Sequence, residues 1–210
     1  MKAKTRVSRP ITDSSLAVPP QFWRDGGRSQ QEWVDATEKF RTIRGNIIAD
    51  AYDIENKLGR LLTEIFYPTI PWHPSHDADV YHSHYQLRPV FSTTFIETSR
   101  FHDKIRILRS SVSEIPYLRD ACSPNLLDHL NELRDTRNRF AHDPIQFEFT
   151  DPPNPEIRAM LVGRDRSEAI TSEYVLAKWE LSNDCSTELG NLLRAMEARF
   201  DKFQHKNHEI

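Results

Sequence analysis

The chain has 210 residues, 28 basic and 31 acidic, for a formal charge of −3. That length can bury a substantial core, and the near-neutral balance supplies no global field to hold a polyanion, so any nucleic-acid contact requires a local basic patch. Only Cys122 and Cys185 are present, too few for a disulfide framework. With no apolar run near the roughly 20 residues of a membrane span and no apolar signal segment at the N-terminus, the reading is a cytoplasmic protein with no membrane association.

Residues 1–28 hold Pro10, Pro19, Pro20, Gly26 and Gly27 without an apolar period, which predicts a flexible arm. Lys2, Lys4, Arg6 and Arg9 make its tip basic, which reads first as a solvated tail and second as a segment able to touch phosphate. One helical domain is expected over 29–205, with a short tail at 206–210. From Trp33 the apolar or small residues step through Ala36, Phe40, Ile43, Ile47, Ala51, Ile54, Leu58, Leu61 and Ile65 in alternating threes and fours, a long helix or two in line. Pro68 ends it.

Residues 68–90 carry Pro68, Pro71, Pro74 and Pro89 with four histidines, and are expected to form a long irregular loop. His73, His76, His82 and His84, near Asp77 and Asp79, are a candidate transition-metal ligand set, although their spacing matches no helix-borne site; a polar loop rich in histidine explains them better. Trp72, Tyr81 and Tyr85 are candidates for stacking on unpaired bases or for ordinary packing. A second helix is predicted from Thr94, with Glu97 completing a capping box, along Phe101, Ile105, Leu108, Val112 and Ile115 up to Pro116. Ser123 and Pro124 announce a third helix, with Leu126, Leu130 and Leu133 on its stripe and Pro144 ending it near His142.

Ile145, Phe147 and Phe149 alternate with polar residues, and a second apolar run at Ile157 to Val162 follows a proline-rich turn, so 145–163 reads as a β-hairpin. The last helix is read from Val175, Trp179, Leu189, Leu193, Met196, Phe200 and Phe203, with Ser182 and Ser186 diluting its middle. The expected fold is all-α, a four-helix-type bundle with a small hairpin between the third and last long helices.

Chemistry concentrates in LRDTRNRFAHDP. After Leu133 the next step of four lands on Arg137, a charge where the pattern asks for an apolar residue. It must be paired, with Asp128, Glu132 or another carboxylate as candidates, or face a cleft. Asn138 and His142 are four apart and share a side of the helix, whereas Arg137 and His142 are separated by about 140° around the axis. To act on one atom, either the last turn unwinds or two copies of the helix meet. His142 stands where a helix exposes its last carbonyls, a position for a proton donor or for a simple cap.

Arg137, Asn138, Ala141 and His142 match Arg-Asn-x-x-Ala-His, and in this the chain resembles the HEPN domains, marked by an arginine, a polar neighbour and a histidine after four to six intervening residues. The arginine-histidine spacing alone recurs by chance about two or three times in such a composition, as at Arg199 and His205. Only Arg137 has the adjacent asparagine, the small residue before the histidine and two preceding long helices. The resemblance spans about residues 35–200 in architecture, with AYDIENKLGRLLTEIF and FHDKIRILRSSVSEI standing as the helices before the motif; Pro144 replaces a tyrosine found in some toxins of the family. It implies a homodimeric helical bundle acting as a metal-independent endoribonuclease without cofactor, in toxin-antitoxin, defence or RNA-processing systems, with an antitoxin or regulatory protein as a further partner. In that reading Arg137 stabilises the phosphate, His142 is the general acid and base, Asn138 orients one of them, and Arg134 and Arg139 join the arm's cations in binding RNA. The alternative is a non-catalytic RNA-binding or protein-interaction module of the same type.

Overall fold

The computed structural model describes residues 30–69, 78–149, 157–164 and 167–206. The expected arm with Lys2, Lys4 and Arg6, the candidate ligands His73 and His76, Trp72, and the tail after Lys206 lie outside the described residues. Among those described the protein is mostly helical: α1 (Gln30–Phe66), α2 (Ala78–Phe91), α3 (Phe101–Glu114), α4 (Pro116–Ala121), α5 (Leu126–His142) and α6 (Ser172–Lys206). A small antiparallel sheet lies between α5 and α6 in the chain, with strands β1 (Ile145–Phe149), β2 (Ile157–Val162) and β3 (Ser167–Ala169) in the order β1-β2-β3. No helix among the described residues is long and apolar enough to cross a membrane.

These elements pack as two compact units interleaved in sequence, and α1, α5 and α6 each supply residues to both. Among the described residues, one comprises those up to Asp50 with those of Asp135–Glu180; the other comprises those of Ala51–Arg134 with those from Leu181 onward. The first unit is centred on Trp33, Phe40, Ile47, Phe140, Ile145, Phe147 and Leu161. The expected hairpin is present, with Ile145 opposite Leu161 and Phe147 opposite Ala159. The alternation read from β1 puts Ile145 and Phe147 into the core, where Phe147 meets Trp33 edge-on at 5.0 Å. The short β3, which sequence patterning did not suggest, pairs Met160 with Ala169.

The second unit packs Ile54, Leu58, Leu61 and Leu62 of α1 with Phe101, Ile105 and Leu108 of α3, Leu130 and Leu133 of α5, and Cys185, Leu189 and Met196 of α6. Here the structure corrects three expectations. The stretch 68–90 is not irregular throughout, because α2 occupies 78–91 with Pro89 in its last turn. Pro89 is exposed, so water can take the carbonyl that its missing amide leaves open. The helix is also tied to the end of α1: Arg88 Nε donates to the Tyr67 carbonyl at 3.0 Å, Arg88 forms an ion pair with Glu64, and His84 Nε2 lies 2.8 Å from the Pro68 carbonyl oxygen.

Second, no capping box forms at Thr94 and Glu97. Ser92–Ile96 is a π-helical turn closed by the Glu97 amide on the Ser92 carbonyl at 2.9 Å, and α3 begins only at Phe101 after an extended Arg100. Gly59 permits this turn to approach α1, since a Cβ there would stand 3.0 Å from Ile96 Cγ2. Third, the buried line of α6 runs through Leu181, Cys185, Leu189, Leu192 and Met196, and Trp179 is 57% exposed. Trp179 is six residues from Cys185, hence about 120° away around the axis. Ser182 is itself buried, so the serine that weakened the apolar pattern sits on the packed face.

Candidate functional site

The last two turns of α5 carry the motif. Its buried line follows Leu126, Leu130 and Leu133 and then passes through Thr136 to Phe140. Phe140 is fully buried, with its ring 6.4 Å from that of Phe40 and 6.2 Å from that of Tyr174. Arg137 therefore borders the apolar line instead of occupying it, and is only partly buried. The buried line takes a step of three where the pattern predicts four, and Thr136 gives no apolar signal because its side chain carries a hydroxyl.

None of the carboxylates proposed to neutralise Arg137 does so: among the described residues Arg137 makes no ion pair. Its hydrogen bond runs from Nη1 to Asn138 Oδ1, at 3.2 Å. Asn138 is exposed, and its carbonyl oxygen holds the guanidinium without cancelling its charge. His142, the final residue of α5, is also exposed, and its imidazole has no hydrogen-bond or ionic partner among the described residues. The helix stays regular to that point, and the Asp143 amide still reaches the Arg139 carbonyl at 2.8 Å. Unwinding of the last turn is thereby removed as a way to align the two residues. In a regular helix they stand about 7.5 Å apart along the axis and about 140° apart around it.

Arg139, expected to contact RNA, is instead enclosed. Its side chain is 12% exposed, with Nε 3.1 Å from Asp143 Oδ2 and Nη1 bonded to Glu168 of β3. Burial on its own would lower the Arg139 pKa; the hydrogen bonds it donates to Asp143 and Glu168 and the Glu168 charge outweigh it and hold the guanidinium above its ordinary value. Arg139 is thus a charged tie between helix and sheet. In the other unit, Arg134 donates from Nη1 to His102 Nδ1 at 2.8 Å and to Asn131 Oδ1 at 2.9 Å.

No group of three metal-ligating side chains occurs among the described residues. His82 is exposed on α2, while His84 is engaged with Pro68. Tyr81 and Tyr85 face each other one helical turn apart, with ring centroids at 4.7 Å. The two thiols are free but unsuited to nucleophilic work. Burial, followed by Glu188, Asp184 and Glu132, pushes Cys185 up to about 12, and burial together with Glu188 raises Cys122.

A cleft of about 1040 Å³ that no sequence motif marks lies in the second unit, lined among others by Tyr52, Arg60, Thr63, Glu97 and Lys104. Lys104 is almost fully buried there and donates to Glu55 at 3.1 Å. With Arg88 likewise paired to Glu64, the cleft's cations are largely balanced by its acids, an arrangement poorly suited to a polyanion. Gly59 on an otherwise helical pattern was the one available signal. Comparison with known protein families, characterised proteins and solved structures found no match.

Proposed function

We propose that this chain is a metal-independent endoribonuclease of the HEPN type, built on that family's four-helix bundle and acting in the cytoplasm as a homodimer. The observation that carries the proposal is the Arg137 guanidinium, oriented by Asn138, neutralised by no carboxylate among the described residues, and placed on the same helix end as the exposed His142. An arginine kept only to stabilise a fold is ordinarily paired; one held by a neutral amide keeps its charge for a ligand, and its planar fork matches two phosphate oxygens.

In the reaction the ribose 2′-oxygen attacks the adjacent phosphorus as its proton passes to His142. Arg137 bonds the non-bridging oxygens as negative charge accumulates on them. The bond from phosphorus to the 5′-oxygen then breaks, and that oxygen takes a proton from the histidinium. A 2′,3′-cyclic phosphate and a 5′-hydroxyl remain, and no cofactor enters the balance. Because α5 is regular through His142, one helix does not aim both residues at one phosphate, and the reading places Arg137 of one protomer opposite His142 of a second. Toxin-antitoxin, defence or RNA-processing systems are the settings this reading suggests, with an antitoxin or regulatory protein as partner.

A second reading, a non-catalytic interaction module, draws on Leu176 and Trp179, which lie one turn apart on α6 and are 53% and 57% exposed, since exposed tryptophan is a frequent anchor of protein interfaces. Purified protein incubated with single-stranded RNA decides between them. Cleavage that disappears in both Arg137→Ala and His142→Ala, each still folded, supports the nuclease; full activity in both variants removes the site from these residues.

A further inference from the structure

The motif helix ends in a way that its own residues do not explain. In a continuing helix the carbonyls of Phe140 and Ala141 would accept from the amides of residues 144 and 145. Residue 144 is a proline without an amide hydrogen, and Ile145 has already entered β1. The Ala141 carbonyl is taken instead by Arg44 of α1, whose Nη2 donates to it at 2.9 Å. One residue beyond His142, Asp143 is held by Arg139 at 3.1 Å, and Arg139 is bonded in turn to Glu168 of β3. The Pro144 carbonyl accepts from the Val162 amide at 2.9 Å, which ties the following residue to the sheet.

We infer that Arg44 and the Arg139–Glu168 pair are positioning residues for His142: they fix the backbone on either side of it, one from α1 and one from the sheet, and so set the direction in which its imidazole leaves the helix. This rests on the reading of His142 as the proton-transfer residue. A terminal turn without such ties frays. Yet the imidazole itself makes no hydrogen bond, ion pair or ring contact among the described residues, so its direction depends on the backbone that carries it. Arg44 lies 97 residues from its acceptor in sequence and belongs to no motif.

The test uses the full chain with Arg44→Met, which keeps length but removes the donor, Arg44→Lys, which keeps the charge, and Glu168→Gln on the partly exposed strand. Two readouts are taken: amide hydrogen exchange at His142 and Asp143 with the His142 ring resonances, and the kinetics of RNA cleavage. Arg44→Met is expected to speed exchange at these amides at least tenfold, to move the His142 ring signals, and to lower kcat by about 10- to 100-fold with KM nearly unchanged; Arg44→Lys recovers most of both. Should Arg44→Met fail to fold, Glu168→Gln gives the same readout from the other side. Unchanged exchange and ring signals in the folded variants overturn the inference. If the wild type cleaves no RNA while exchange and ring signals respond as described, the ties stand and the nuclease reading falls.

Discussion

Two arginines stand two residues apart in the motif, and the structure assigns them opposite energetic roles, which makes Arg139→Ala and Arg137→Ala an informative pair. Arg139 is 12% exposed and bonded to Asp143, itself 23% exposed, and to Glu168, 36% exposed. A charge-assisted bond in a partly buried setting contributes about 1.5–3 kcal/mol, and the more solvated Glu168 contact is screened to about 0.5–1 kcal/mol. Truncation also removes the packed stem, while relieving the buried Nη2 that has no partner. The net loss for Arg139→Ala is therefore about 2–3 kcal/mol. Arg137 has no ion pair to lose among the described residues and gives up a bond to an exposed asparagine with part of its stem packing, so Arg137→Ala should stay within about 0.5 kcal/mol of wild type. Urea titration followed by tryptophan emission, to which the buried Trp33 of the same unit contributes, should show the Arg139→Ala midpoint lowered on the order of 1 M and the Arg137→Ala midpoint nearly unmoved. Equal losses in the two variants would mean that Arg137 has a structural partner, and the reasoning from its free charge would be wrong.

Two further outcomes are expected. Gly45→Ala, with nothing within 4 Å of the new Cβ, should raise stability by about 0.5–1 kcal/mol, whereas Gly59→Ala, crowded by Ile96 Cγ2 at 3.0 Å, should show no such gain; a matching gain at both positions in thermal melts would contradict the close approach of α1 and the π-helical turn. Sedimentation should show a dimer at micromolar concentration, and mixing the inactive Arg137→Ala and His142→Ala proteins should restore part of the activity by rebuilding one intact shared site; a monomer that cleaves RNA, or mixtures that stay inactive despite proven subunit exchange, would discard the composite site.

The long helices were legible because apolar residues at steps of three and four leave little choice of face, and the end of α5 was legible because Pro144 denies helical geometry to Asp143. The hairpin was legible from strict alternation at Ile145, Phe147 and Phe149. What failed did so where tertiary contacts override local signals. Four prolines suggested a loop, but Pro89 is accommodated in an exposed helical turn that Arg88 fastens to Tyr67 and Glu64. Trp179 counted as core by hydrophobicity alone, although the packed face of α6 is turned away from it. At the candidate site, residue type and spacing single out Arg137, Asn138 and His142. The enclosure of Arg139 is not legible, because Glu168, which pairs with it together with Asp143, lies 29 residues onward in a strand that patterning does not suggest. Arg44 was equally hidden, since on α1 it reads as one more solvated cation.

The central claim is that Arg137 and His142 cut RNA with the substrate's own hydroxyl. It is tested most directly by incubating the wild-type protein, in excess chelator, with a defined RNA and with the same strand bearing a single deoxyribose at the cut site, and identifying the ends by mass spectrometry. The account predicts chelator-resistant cleavage leaving a 2′,3′-cyclic phosphate and a 5′-hydroxyl, with no cut at the deoxyribose. Cleavage that chelator abolishes and zinc or manganese restores, with the deoxyribose strand cut as well, would contradict it and move the chemistry to a metal-activated water elsewhere in the chain.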